Sequence, residues 1–98
     1  MPYHIGYLRT AIGHLRQLTA RQRSTALDTV DTQLTHEPKT ETRNRKEMIP
    51  NPLASWELRI GDLRVYYDVT EDPQTVTVVA VGIKEGNRLF IGGEERQL

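Results

Sequence analysis

Five cationic side chains in this sequence stand where they could act together on an anion. Arg59 and Arg64 fall in an alternating segment from Trp56 to Val69. Arg43, Arg45 and Lys46 precede them in a polar stretch. A local basic patch on a protein without net charge suits a specific anionic contact better than diffuse phosphate binding. Other chemistries find less support. The chain has no cysteine, which excludes a disulfide scaffold, a thiolate zinc site and a cysteine nucleophile together. His4, His14 and His36 fall on different elements, and their spacing pairs no two of them for ribonuclease chemistry or for a metal. Gly82, Gly86, Gly92 and Gly93 are not framed by a strand and a helix, so they do not make a phosphate loop.

Length and composition bound the rest. With 98 residues, 37% hydrophobic and 27% charged, the chain fits one domain spanning residues 1–98. Charge is zero overall but uneven. Residues 1–50 hold eight Lys/Arg and five Asp/Glu, and residues 51–98 hold five and eight. No basic region leads into an apolar run near Met1, and no stretch approaches the roughly 20 apolar residues of a membrane helix. The expectation is a cytoplasmic protein with no membrane partner.

The elements that must position the cations follow from periodicity. Tyr3, Ile5 and Tyr7 alternate as a short strand. Leu8, Ile12, Leu15 and Leu18 recur at helical spacing with Thr10 as a candidate cap, and Thr19 or Ala20 separates a second stripe of Arg23, Leu27, Val30 and Leu34. Residues 36–55 contain Pro38, Pro50 and Pro52 and read as a loop. Trp56 to Ile60, Leu63 to Val69 and Val76 to Ile83 read as three antiparallel strands, with Gly61-Asp62 turning the first pair. Gly92 to Leu98 reads as a tail. The expected class is α+β, in the order β-α-α-β-β-β, with a helical hairpin packed on one face of a small antiparallel sheet. Glu57, Arg59, Arg64, Tyr66 and Asp68 then line the other face beside the basic loop.

The segment Trp56-Glu57-Leu58-Arg59-Ile60-Gly61-Asp62-Leu63-Arg64-Val65-Tyr66-Tyr67-Asp68-Val69 resembles the hairpin of the RelE/ParE toxin superfamily. The apolar strand that follows, ending Gly82-Ile83-Lys84, is similar to the next strand of that family. The resemblance implies the toxin of a type II toxin–antitoxin pair on the RelE-like branch. It implies an endoribonuclease that cuts mRNA on the ribosome and arrests translation. The reaction would be attack of the ribose 2′-hydroxyl on the adjacent phosphate, with no metal and no cofactor. Cations would hold the phosphate and stabilise the oxyanion, and other groups would move protons. A cognate antitoxin would be the protein partner.

Carried over by position, the resemblance gives Arg64 the phosphate and transition state. Lys84 takes a place where an arginine often stands, keeping charge without the bidentate fork. Arg45 and Lys46 become phosphate ligands or general base. Arg43, Arg59, Tyr66, Arg88 and Phe90 become contacts to RNA. Phe90 stands where RNA-cleaving members often carry tyrosine; it can stack on a base but cannot donate a proton. Taken without the resemblance, Arg64 reads first as a solvated arginine paired with Glu57 or Asp68, and the 43–46 cations as an ordinary soluble loop. Trp56 and Tyr67 read as core anchors. Two alternatives stay open: a ParE-like poison of DNA gyrase, and a catalytically weak module that only holds its antitoxin.

Overall fold

Residues 2–98 are described by a computed structural model. The elements are β1 (His4–Tyr7), α1 (Arg9–Arg16), α2 (Ala20–Leu34), β2 (Arg45–Glu47), β3 (Trp56–Ile60), β4 (Leu63–Glu71), β5 (Gln74–Glu85), β6 (Arg88–Ile91) and β7 (Glu94–Arg96). Strands β2 to β7 lie side by side in chain order as an antiparallel meander, and β1 joins β5 in parallel. Both helices contribute to the hydrophobic cluster on one face of the sheet, which is the α+β arrangement the sequence predicts.

The sheet is larger than that prediction. β2 lies inside the segment read as a loop, where three residues are too few to display alternation. β7 lies in the region read as a tail, and with β6 it forms a hairpin. Gly92 and Gly93 turn it with φ of 63° and 82°, angles that a two-residue hairpin turn requires and glycine adopts without strain.

The capping of the helices follows their sequence in part. Thr19 closes α2 with a capping box, its hydroxyl accepting from the Gln22 N–H at 3.1 Å while the Gln22 side chain accepts from the Thr19 N–H at 2.9 Å. Thr10 does not cap α1; Leu8 holds that position without a side-chain bond. The buried stripes are also shifted. Ala11 and Leu15 are buried from α1, Leu18 from the link after it, and Ala26, Val30 and Leu34 from α2, while Ile12 and Leu27 are exposed. Two small alanines let the helices approach the sheet where larger residues one position away would hold them off. Arg23 ties the hairpin together by donating to the carbonyls of Leu15 and Leu18, both at 3.1 Å.

One irregularity sets which side chains share a face. Tyr66 pairs with Ala80 and Tyr67 with Val78, so Val79 is an extra residue on β5. Strict alternation from Val76 and Val78 would turn Lys84 toward the helices. The bulge reverses the phase, so that Val76, Val78, Val81 and Ile83 join the helix-side core. Ala80, Gly82 and Lys84 thereby move to the open face.

The edge of β5 opposite β4 is shared. β1 pairs with Thr75 to Val78 and β6 with Gly82 to Glu85. In the gap, the Thr10 hydroxyl donates to the Val79 carbonyl at 3.4 Å and the Val81 N–H donates to His14 Nδ1 at 3.2 Å. Side chains of α1 thus complete the strand edge that would otherwise leave backbone groups unpaired.

Candidate functional site

Three rungs of the open face carry the charged residues. Lys46, Glu57 and Tyr66 stand side by side across β2, β3 and β4. Arg59 and Arg64 follow, with Gly82 beside Arg64. Lys84 and Leu89 come next, with Arg96 beside Leu89. Together they floor a groove of about 540 Å³, walled by Met48 to Asn51 on one side and by Asn87 and Arg96 to Leu98 on the other. Five cations line it, Lys46, Arg59, Arg64, Lys84 and Arg96, together with the acidic residues Glu47 and Glu57.

The wall after β2 is ordered by one side chain. Asn51 Nδ2 donates to the carbonyls of Ile49 at 2.8 Å and Ala54 at 3.0 Å. Its Oδ1 accepts from the N–H groups of Leu53 at 2.8 Å and Ala54 at 3.2 Å. An asparagine supplying donors and an acceptor to its own loop replaces the secondary structure the two prolines prevent.

Arg64 is not held by a carboxylate. Its Nη1 donates to the carbonyls of Gly61 at 2.7 Å and Leu63 at 2.9 Å. Of the two carboxylates that could have paired with it, Glu57 binds Arg59 Nε at 3.0 Å and Asp68 accepts from the Ser55 N–H at 2.8 Å. The Arg64 charge is therefore positioned by the β3–β4 turn, with no carboxylate partner among the described residues.

Several sequence-predicted residues lie elsewhere. Arg45 faces the helices and is 6% exposed. Its guanidinium donates to the Gln33 and Glu37 carbonyls, the latter at 2.8 Å, which fastens the end of α2 and the following turn to β2. Period-two alternation puts neighbours on opposite faces, so Lys46 enters the groove and Arg45 cannot. Arg43 is exposed in the turn before β2 and outside the groove lining. On β6 the same alternation turns Leu89 and Ile91 to the open face and Phe90 away, opposite Ile83. Arg88 goes with Phe90, its guanidinium 5.2 Å over the ring and paired with Glu95 at 2.9 Å. Arg88 and Phe90 thus face away from this groove. Tyr66 does lie on the groove floor, but only 1% exposed and packed with Ala54, Ala80 and Ile91. Burial first, and then the charge and hydrogen bonding of Glu57, hold its phenol well above the ordinary range. It is a floor residue rather than a stacking platform.

Arg96, Asn51 and Asn87 belong to the groove and were not legible as such. The Gly92-Gly93 pair was the available signal for Arg96, since it marks a hairpin that returns the chain to the sheet. Among the described residues no three His, Cys, Asp or Glu side chains converge to hold a metal. No helix among them is long and apolar enough to cross a membrane.

Neither a protein-family model nor a curated relative matches the sequence. Among solved structures, the chain is similar to one in the toxin–antitoxin complex RelBE2 from Mycobacterium tuberculosis. The TM-score is 0.75 at 23% identity, covering 86% of this chain and 93% of that one. At that identity the likeness is one of fold alone.

Proposed function

We propose that this chain is the toxin of a toxin–antitoxin pair and that it cleaves mRNA on the ribosome. The observation that carries the reading is the Arg59–Arg64 rung, two arginines that are cross-strand partners in a groove that Lys46 and Lys84 also line. Such an arrangement suits one phosphodiester held by several charge-assisted bonds. A phosphate attacked by its neighbouring 2′-hydroxyl gathers negative charge on its equatorial oxygens, and cations fixed beforehand stabilise that charge without reorganising. The shared fold with a chain of a toxin–antitoxin complex supports a protein antitoxin as the binding partner.

The test is induced expression of the chain in bacteria, with protein and DNA synthesis followed in parallel and mRNA ends mapped. Protein synthesis should stop first, with new breaks inside translated codons. Arrested replication with intact mRNA would move the chain to the gyrase poisons. Growth without arrest would leave a module that only binds an antitoxin.

A further inference from the structure

A 2′-hydroxyl becomes a nucleophile only if something beside it accepts its proton. Few groups in the groove can. Arginine does not deprotonate in proteins, lysine carries its proton at neutral pH, and no histidine is among the lining residues. Tyr66 is held in its protonated form by burial and by Glu57. Glu47 stands opposite Trp56, out of step with the groove-facing rungs, and is exposed. Glu57 remains. Its side chain is 16% exposed, and one of its oxygens lies 3.0 Å from Nε of Arg59, one of the two arginines that would hold the phosphate.

We infer that Glu57 is the general base of this groove, taking the proton of the ribose 2′-hydroxyl while Arg59 and Arg64 hold the phosphate under attack. The inference rests on the RNA-cleavage reading above. In the free protein Glu57 is paired with Arg59, but that arginine is 44% exposed and such pairs are weak. A phosphate entering the groove offers Arg59 a bidentate partner and leaves the carboxylate free to accept a proton.

The sheet also separates the two proton transfers. Glu57 lies one rung before the Arg59–Arg64 pair and Lys84 one rung after it, two strands away. In-line displacement requires entering and leaving oxygens on opposite sides of phosphorus. As the 2′-oxygen gives its proton to Glu57 and bonds to phosphorus, the bond from phosphorus to the 5′-oxygen breaks. The 5′-oxygen keeps that electron pair and takes a proton from the Lys84 ammonium. The products are a 2′,3′-cyclic phosphate and a 5′-hydroxyl. Water then carries the proton of Glu57 back to Lys84, and the protein is unchanged.

The experiment compares the wild-type chain with Glu57→Gln and Glu57→Asp on mRNA bound to purified ribosomes, with thermal melts to confirm that each variant folds. Glu57→Gln keeps the shape and removes the base. Its kcat should fall on the order of 100-fold or more with KM little changed, and the acid-side limb of its pH profile should disappear. Glu57→Asp should keep that limb and a measurable fraction of the rate, and it serves as the folded control if Glu57→Gln does not fold. A Glu57→Gln enzyme within about threefold of wild type, a loss confined to KM, or loss of the limb in neither variant would overturn the assignment. If the wild-type chain itself cuts no RNA, the cleavage reading fails and this assignment falls with it.

Discussion

Arg59 and Arg64 are direct cross-strand partners on the open face of the sheet, so two like charges face each other where strand pairing normally places opposite ones. Glu57 offsets only one of them, and the Arg64 guanidinium rests on the carbonyls of its own turn. Such a pair lowers the stability of the sheet, and the proposed phosphate contact would offset that repulsion.

Removing Arg64 therefore separates function from folding. Arg64→Ala should lose at least about 100-fold in RNA cleavage, in line with removal of one oxyanion donor. Stability should change by only about 1 kcal/mol, because relief of repulsion offsets the two lost hydrogen bonds. Chemical denaturation beside a cleavage assay reads both. Unfolding of the variant would instead make Arg64 structural.

The opposite pattern is expected at Arg45. Its guanidinium is buried against the Gln33 and Glu37 carbonyls, and Arg45→Ala would leave those groups without their donor. The loss should be on the order of 3 kcal/mol by urea denaturation. Any variant protein that remains folded should cleave at close to the wild-type rate.

Phe90→Tyr would restore the residue common in RNA-cleaving members of the resembled family. Since Phe90 points away from the groove, beneath Arg88, the added hydroxyl should leave the cleavage rate within about threefold of wild type. A large gain in rate would mean that the β6–β7 hairpin turns over when RNA binds.

His14 should make stability fall in mild acid. Its Nδ1 accepts the Val81 N–H, which only the neutral ring in its Nε2–H tautomer can do, and burial followed by the nearby Arg96 charge lowers its pKa from 6.5. A group whose folded pKa is depressed below its unfolded value favours folding in its deprotonated form. For this histidine the stabilisation is complete above about 6.5 and is lost as pH falls toward the lower folded pKa. Thermal melts between pH 8 and 5 should show a downward step that His14→Gln abolishes; an equal step in the variant would assign it elsewhere.

Much of this protein is determined by its sequence alone. Alternation from Trp56 to Val69 and the glycine at its turn specify the β3–β4 hairpin, and with it the face that Arg59 and Arg64 share, because the period of a strand is set by its covalent geometry. The two helices and the capping threonine are local in the same sense. The tertiary structure decided what depends on neighbours distant in the chain. Arg45 and Lys46 are adjacent cations with no local mark to distinguish them, and only pairing with Leu58 and Glu57 sends one into the core and the other into the groove. The bulge at Val79 reverses the phase of an almost uniformly apolar strand, where the sequence offers no alternation to read, and so delivers Lys84 to the face of Arg64. The β6–β7 hairpin brings Arg96 beside residues more than thirty positions earlier while turning Phe90 away. Local periodicity sets the faces of single elements; which faces meet is set by strand register, and register is fixed only when the strands pack.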